Sequence, residues 1–143
     1  MSKIKVLFVC IHNSARSQMA EAFTKKYADG KIDAESAGIE PGVLNKTVVN
    51  VMKEIGIDIS SNKTQSVFEL YGKNKEYDYV ITVCDQTKAE MCPVFPGAGK
   101  RLHWNFEDPS GFSGTDEEKF VKTREVRNQI ESKIQNWIAD LNV

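Results

Sequence analysis

What this sequence has little of narrows its chemistry first. Three cysteines in 143 residues are an odd number, too few and too widely spaced for a disulfide scaffold, and no Cys-x2-Cys pair offers a zinc site. The only histidines, His12 and His103, stand far apart, so no metal is expected. Charge of one sign is missing too: 19 Lys and Arg face 20 Asp and Glu, a formal net charge of -1. Without a basic field, neither nucleic acid nor an anionic membrane is an expected partner. Long apolar runs are also absent. Val6–Ile11 and Tyr79–Cys84 fall far short of the roughly 20 residues a bilayer span needs. The start, Met1–Ser2–Lys3–Ile4–Lys5, enters an apolar run that breaks at His12–Asn13 with no small-residue cleavage site. A soluble, cytoplasmic chain without a signal peptide is expected. No repeat, low-complexity tract or Pro/Gly/Ser-rich linker divides the sequence, and 41% apolar residues suffice for one sizeable core, so residues 1–143 are expected to form one domain.

What is present is an alternation of strand and helix patterns. Lys3–Cys10 reads as a strand buried on both faces, and from about Ser14 to Ala28 the residues Met19, Phe23 and Tyr27 recur four apart on one helical face, with Gly30 as the stop. A short strand at about Ile32–Ser36 ends in Ala37–Gly38. Asn45 then caps a helix with the stripe Val48, Val49, Met52 and Ile55, ended by Gly56. Ser60–Lys75 is polar and punctuated, with a short helical piece at Gln65–Leu70, and is expected to be mobile surface. Tyr77–Val83 and Lys100–Trp104 read as two further strands around the turn-rich Pro93–Gly99. Thr115–Asp116–Glu117–Glu118 is a capping box that opens a last helix bearing Val126, Ile130, Ile134, Trp137, Ile138 and Leu141. The pattern predicts an α/β fold of three layers: a parallel sheet of about four strands with helices on both faces.

The chemistry concentrates after the first strand. Cys10–Ile11–His12–Asn13–Ser14–Ala15–Arg16 is Cys-x5-Arg, set between a buried strand and the first turn of an amphipathic helix. A turn so short lets backbone N–H groups converge beside the positive end of the helix, which makes an anion site and favours a thiolate at Cys10. The Arg16 guanidinium can fold back to grip two oxygens of a tetrahedral oxyanion, and Ser17 can donate to the sulfur. Without that context the same residues are a buried strand end, a solvated arginine and an ordinary helix cap at Asn13. Cys84 closes the third strand. Cys92 follows in a polar segment with Asp85, Gln86, Lys88 and Glu90, bordered by Pro93 and Pro96–Gly97, exposed enough to move. Either cysteine can also be a packed residue. Asp108 precedes Pro109 in a turn after the fourth strand, a place Asp also takes for turn geometry alone. His12 is expected to offer its backbone rather than its imidazole to an anion, and His103 and Trp104 to pack.

The stretch Val9–Cys10–Ile11–His12–Asn13–Ser14–Ala15–Arg16–Ser17–Gln18–Met19–Ala20–Glu21–Ala22–Phe23 resembles the signature of thioredoxin-coupled arsenate reductases built on the low-molecular-weight protein tyrosine phosphatase fold. The likeness continues through Ser36–Ala37–Gly38, Gly56–Ile57–Asp58–Ile59–Ser60, Val80–Ile81–Thr82–Val83–Cys84–Asp85, Cys92–Pro93–Val94–Phe95–Pro96–Gly97 and His103–Trp104–Asn105–Phe106–Glu107–Asp108–Pro109. The resemblance implies strand order 2-1-3-4, with Cys10 and Cys84 emerging side by side at the carboxyl edge of the sheet. It implies that Cys10 attacks arsenate, held by Arg16 and the loop from Ile11 to Ser17, and that Asp108 protonates the departing hydroxyl. Cys84 then resolves the adduct, Cys92 resolves the Cys10–Cys84 disulfide, and thioredoxin reduces the Cys84–Cys92 pair. No bound cofactor is implied, and a monomer is expected. Some relatives hold a potassium ion near positions matching Asn13, Glu21 and Ser36, but a fourth ligand, an Asp, is absent where Gln65 or Ser66 falls here. Three other functions share parts of this pattern. A phosphatase of the same fold needs neither Cys84 nor Cys92 and carries tyrosines where this chain has Pro109–Ser110–Gly111. A non-enzymatic redox sensor or oxyanion-binding module would use the same thiols without turnover. A reductase drawing on a low-molecular-weight thiol would dispense with the second and third cysteines.

Overall fold

The computed structural model describes residues 3–84, 91–93, 95 and 99–142. Strand β1, Ile4–Cys10, is the spine of the sheet: Val6, Leu7, Phe8 and Val9 are all fully buried, as an apolar run inside a parallel sheet must be. It is flanked by β2, Ile32–Gly38, and by β3, Tyr79–Thr82, which carries β4, Lys100–His103, on its outer side. All pairings are parallel and the order is β2-β1-β3-β4. The sheet therefore has the order that the resemblance implied.

Side-chain alternation divides the core in two. Val6, Phe8 and Cys10 face helices α1, Arg16–Tyr27, α2, Lys46–Lys53, and α4, Asp116–Leu141, packing with Met19, Phe23, Met52, Ile130 and Ile134. On this side Phe8, Trp104 and Trp137 form a ring cluster with centroids 5.6 to 6.3 Å apart. Burying each such ring contributes on the order of 2 kcal/mol. Leu7 and Val9 face the opposite side, against Val67 and Leu70 of α3, Val67–Gly72, together with Tyr77, Val80, Cys92 and Phe95.

Local signals hold at the ends of the helices. Asn45 Oδ1 accepts from the Val48 N–H at 3.1 Å, and Thr115 and Glu118 make both bonds of the capping box. Gly30 and Gly56 take φ +80° and +83° just past their helices. Several boundaries differ from the sequence reading. Helix α1 begins at Arg16 rather than near Ser14, because Asn13 turns left-handed at φ 55° and Ala15 is still non-helical. Asn13 is thus no helix cap; Ala15 holds that position, with no side-chain cap bond. Strand β2 runs on to Gly38, paired with Cys10. Strand β3 is shorter than Tyr77–Val83. Val51, outside the expected stripe of α2, is fully buried and its carbonyl accepts from Arg127.

Most of Ser60–Lys75 is exposed, as the surface expectation has it, but the segment is anchored at several points. Ile59, Val67 and Leu70 are buried, Gly38 N–H donates to the Gln65 carbonyl at 2.8 Å, and Ser66 bridges to Gly38 and caps α3. Asn62, Thr64 and Gln65 bond to Gln18, Gly42, and Asn13 with Ser36, respectively, while the other polar side chains are mostly exposed. The polar run at Asp85, Gln86, Lys88 and Glu90 and the Pro96–Gly97 turn lie outside the described residues. Among the described residues, no helix is long and apolar enough to cross a membrane.

Candidate active site

The loop between β1 and α1 closes over the carboxyl end of the sheet, and its backbone orientation follows from what lies outside it. The carbonyls of Cys10, Ile11, His12 and Ser14 accept from the N–H groups of Ile39, Glu40, Gly42 and Asn45 at 2.7 to 3.1 Å. A trans peptide sets each carbonyl opposite the next N–H, so the N–H groups of Ile11, His12, Asn13 and Ala15 turn to the inner side. The Asn13 N–H shows the consequence: it donates to Cys10 Sγ at 3.1 Å.

Cys10 is the focus of this loop. It is 2% exposed, and its sulfur lies 2.8 Å from Ser17 Oγ in the first turn of α1. Asn13 Nδ2 donates to that same Ser17 oxygen at 2.8 Å, which leaves the hydroxyl hydrogen free to point at the sulfur. Two donors therefore converge on the Cys10 sulfur. Asn13 is the hub of the loop. Its Nδ2 also reaches Ser36 Oγ at 2.9 Å, and its Oδ1 accepts from the Gln65 N–H at 3.1 Å, bonds that hold its left-handed backbone in place.

Arg16 is no solvated helix residue. It is 4% exposed, with Nη1 donating to the Phe106 carbonyl at 3.1 Å and Nη2 standing 3.4 Å from Asp108 Oδ2. Its buried Nε has no protein partner among the described residues, and an unpaired buried donor is costly. Asp108 caps the short 3-10 turn Pro109–Gly111, accepting from the Ser110 N–H at 3.0 Å, and keeps one-third of its side chain exposed. Asn45 Nδ2 donates to Ser110 Oγ of the same turn at 3.0 Å.

No disulfide joins the three cysteines, and they are not equivalent. Val9 pairs with Thr82 and its carbonyl accepts from Val83, so Cys10 and Cys84 leave adjacent strands at the same end of the sheet and share one core cluster. Cys92 belongs to the other cluster, with Leu7, Val9 and Phe95. The expectation that it lies exposed is corrected: it is 4% exposed, and burial pushes its thiol up to about 11, opposed by the charge of Arg101.

Ile11, His12, Ser14 and Ala15 supply backbone to the loop. The His12 ring turns outward to the Glu40 carbonyl at 2.8 Å, away from Cys10. His103 is exposed rather than packed, because β4 is an edge strand, and its Nδ1 lies 2.8 Å from Thr82 Oγ1. Trp104 packs as expected.

Two residues matter here that the sequence reading did not assign to the site. A Cβ on Gly38 would stand 2.8 Å from Asn13 N and from His12 C and 2.9 Å from Ile11 O, so only glycine lets the loop lie on β2. A glycine at a strand end was the available signal. Gln65 holds Asn13 by its backbone and the Ser36 carbonyl by its side chain. The potassium position does not fit this chain: Asn13, Ser36 and Glu21 are linked donor to acceptor, and the Lys25 ammonium sits 2.6 Å from Glu21 Oε2.

Comparison with known proteins agrees with this architecture. The family model described as low molecular weight phosphotyrosine protein phosphatase matches residues 5–143. A protein named arsenate reductase from Halalkalibacterium halodurans is 44% identical over 138 residues, covering 96% of each chain. A solved arsenate reductase in the phosphate binding state superposes with TM-score 0.75 at 37% identity, over 96% of this chain and 98% of that one. A thioredoxin-dependent arsenate reductase from Corynebacterium glutamicum does so with TM-score 0.73 at 25% identity, over 99% of this chain and 63% of that one.

Proposed function

We propose, for a chain that belongs to the low molecular weight phosphotyrosine protein phosphatase family, that it is an arsenate reductase whose three cysteines pass two electrons from thioredoxin to arsenic. The observation that carries this reading is the pairing of Cys10, with its converging donors, and a second buried thiol, Cys84, in the same cluster at the same end of the sheet. A phosphatase has no use for that second thiol.

In this reading arsenate takes the place for which the loop is built. Its oxygens accept from the N–H groups of the loop from Ile11 to Ser17 and from Arg16, whose Nε gains the partner it lacks among the described residues. The Cys10 thiolate attacks arsenic, a hydroxyl leaves, and Asp108 gives it a proton so that water departs. Asp108 is suited to this by position, since Arg16 holds its carboxyl at the mouth while part of it stays exposed. Cys84 then attacks Cys10 Sγ. A sulfur–sulfur bond forms, the sulfur–arsenic bond breaks, and its electron pair stays on arsenic, which leaves as arsenite.

The Cys10–Cys84 disulfide now blocks the nucleophile. Cys92 attacks Cys84 Sγ, Cys10 leaves as a thiolate ready for the next arsenate, and the Cys84–Cys92 disulfide is reduced by the dithiol of thioredoxin. This last exchange requires Cys92 to leave its seat on the α3 side of the sheet. Electrons balance over the cycle: two thiols are oxidised per arsenate reduced, and thioredoxin restores them.

The test is a coupled assay with arsenate, thioredoxin, thioredoxin reductase and NADPH. The reading predicts NADPH loss that depends on arsenate and on thioredoxin and disappears in Cys10→Ser. More than a tenth of wild-type turnover in Cys10→Ser would overturn the assignment of the nucleophile, and no arsenate-dependent loss in the wild type would overturn the activity.

A further inference from the structure

Cys92 poses a requirement that the relay does not itself meet. Its thiol has to remain seated while Cys10 handles arsenate and then cross to the cluster that holds Cys84. Apolar neighbours supply burial but no direction, and the sulfur's own polar contact is a weak thiol hydrogen bond, 3.6 Å to the adjacent Pro93 carbonyl. The directional tie from the sheet to this residue runs through the backbone: Arg101 Nη2 donates to the Cys92 carbonyl at 3.0 Å.

The sheet puts Arg101 there by register. Arg101 pairs with Val80 and His103 with Thr82, and the His103 and Thr82 side chains meet, so this parity of β4 faces the side on which Val80 packs. That is the side of Cys92. Leu102, of the other parity, packs against the opposite cluster. An arginine at this register on the outer strand therefore reaches the Cys92 backbone.

We propose that Arg101 is a positioning residue of the relay, whose bond to the Cys92 carbonyl keeps the resolving thiol seated until it is released to attack Cys84. The proposal rests on the three-cysteine reading for its purpose, but not for its test. While Cys92 is seated, burial holds the thiol protonated and inert at neutral pH. Release exposes it to water, where a thiolate forms more readily. A charge-assisted bond of this kind, once removed, raises the unseated fraction about tenfold or more.

The experiment is alkylation of the reduced full chain by iodoacetamide at pH 8, without arsenate or thioredoxin, with the rate at each cysteine read by peptide mass. Arg101→Ala is expected to label at Cys92 about tenfold faster than wild type, with Cys10 changed less than about twofold. Arg101→Lys, a cation that still donates, is expected to return most of the protection. A second readout is the conversion of the Cys10–Cys84 disulfide to Cys84–Cys92 in a quenched single turnover, which the proposal requires to quicken in Arg101→Ala and which general loosening of the fold would slow. Cys92 labelling within about twofold of wild type in Arg101→Ala, an equal rise at all three cysteines, or a slower exchange would each overturn the proposal. Failure of the relay itself would appear in Cys92→Ser turnover and leave the labelling ratios as they are.

Discussion

The Gly38→Ala substitution tests how tightly the loop is held against the sheet, because the structure gives the collision directly. The added Cβ would lie 2.8 to 2.9 Å from three backbone atoms of the loop, Asn13 N, His12 C and Ile11 O. None is the end of a flexible side chain, so the loop has to move away by about 0.5 Å to reach ordinary contact, a strain of roughly 1–3 kcal/mol. In a chain of this size that lowers Tm by about 4–12 °C. The larger effect falls on chemistry. The displaced atoms include the Asn13 N–H that donates to Cys10 and the loop that faces the oxyanion. A misplacement of about 1 Å can cost 100-fold, so half that shift is expected to lower kcat/KM for arsenate roughly tenfold or more. The assay is arsenate titration with thioredoxin, thioredoxin reductase and NADPH, alongside circular dichroism to show that the variant folds. Wild-type kcat/KM in a folded Gly38→Ala would refute the argument that the backbone of this loop is the binding surface.

Other outcomes follow from the same geometry. Arg16→Ala is expected to abolish arsenate turnover, since among the described residues no other side chain replaces the guanidinium between the Phe106 carbonyl and Asp108, and isothermal titration with arsenate checks the loss of binding. Asp108→Asn keeps the turn but removes the acid, and should cut turnover about 100-fold or more while single-turnover adduct formation becomes rate-limiting. Wild-type protein is expected to hydrolyse a small aryl phosphate slowly, because the loop and Asp108 also suit phosphoryl transfer; chromogenic hydrolysis that vanishes in Cys10→Ser checks it. Glu54 offers a pH prediction away from the site. The Arg124 guanidinium, with Arg127, holds its carboxyl below the ordinary value of 4.5, so its contribution to stability is present above that value and is lost as pH falls through the lowered one. Glu54→Gln should therefore be less stable than wild type at neutral pH, with the difference closing as pH falls below the ordinary carboxylate value in urea titrations.

How much of this was legible in the sequence depends on where each constraint originates. The run from Val6 to Cys10 and the periodic Met19 and Phe23 reveal a buried strand feeding a helix, and Cys10, Arg16 and Ser17 are found because their signals are local. The burial of Cys92 is not local. Its immediate neighbours in sequence, Met91 and Pro93, show no strand or helix periodicity, while the side chains of its cluster, Leu7, Val9 and Leu70, come from other elements. The anchoring of segment 60–75 is hidden for a related reason, since residues such as Gln65 and Ser66 look solvated until Asn13, Ser36 and Gly38 are placed beside them. Gly38 reads as a strand end, and its necessity appears only when a loop from another strand is laid across it. The start of α1 was placed too early because a left-handed Asn13 leaves no trace in apolar periodicity.

The central claim is that the three thiols form a relay, and Cys92→Ser tests it most directly. Cys10 and Cys84 are intact in that variant, so arsenate should still form its adduct and leave as arsenite once. Thereafter the Cys10–Cys84 disulfide has no internal thiol to open it and thioredoxin should reduce it poorly. The account predicts a burst of about one arsenite per protein, with a mass loss of two hydrogens mapped by peptide digestion to Cys10 and Cys84. Steady turnover of Cys92→Ser at the wild-type rate with thioredoxin would make Cys92 a packed bystander and contradict the relay.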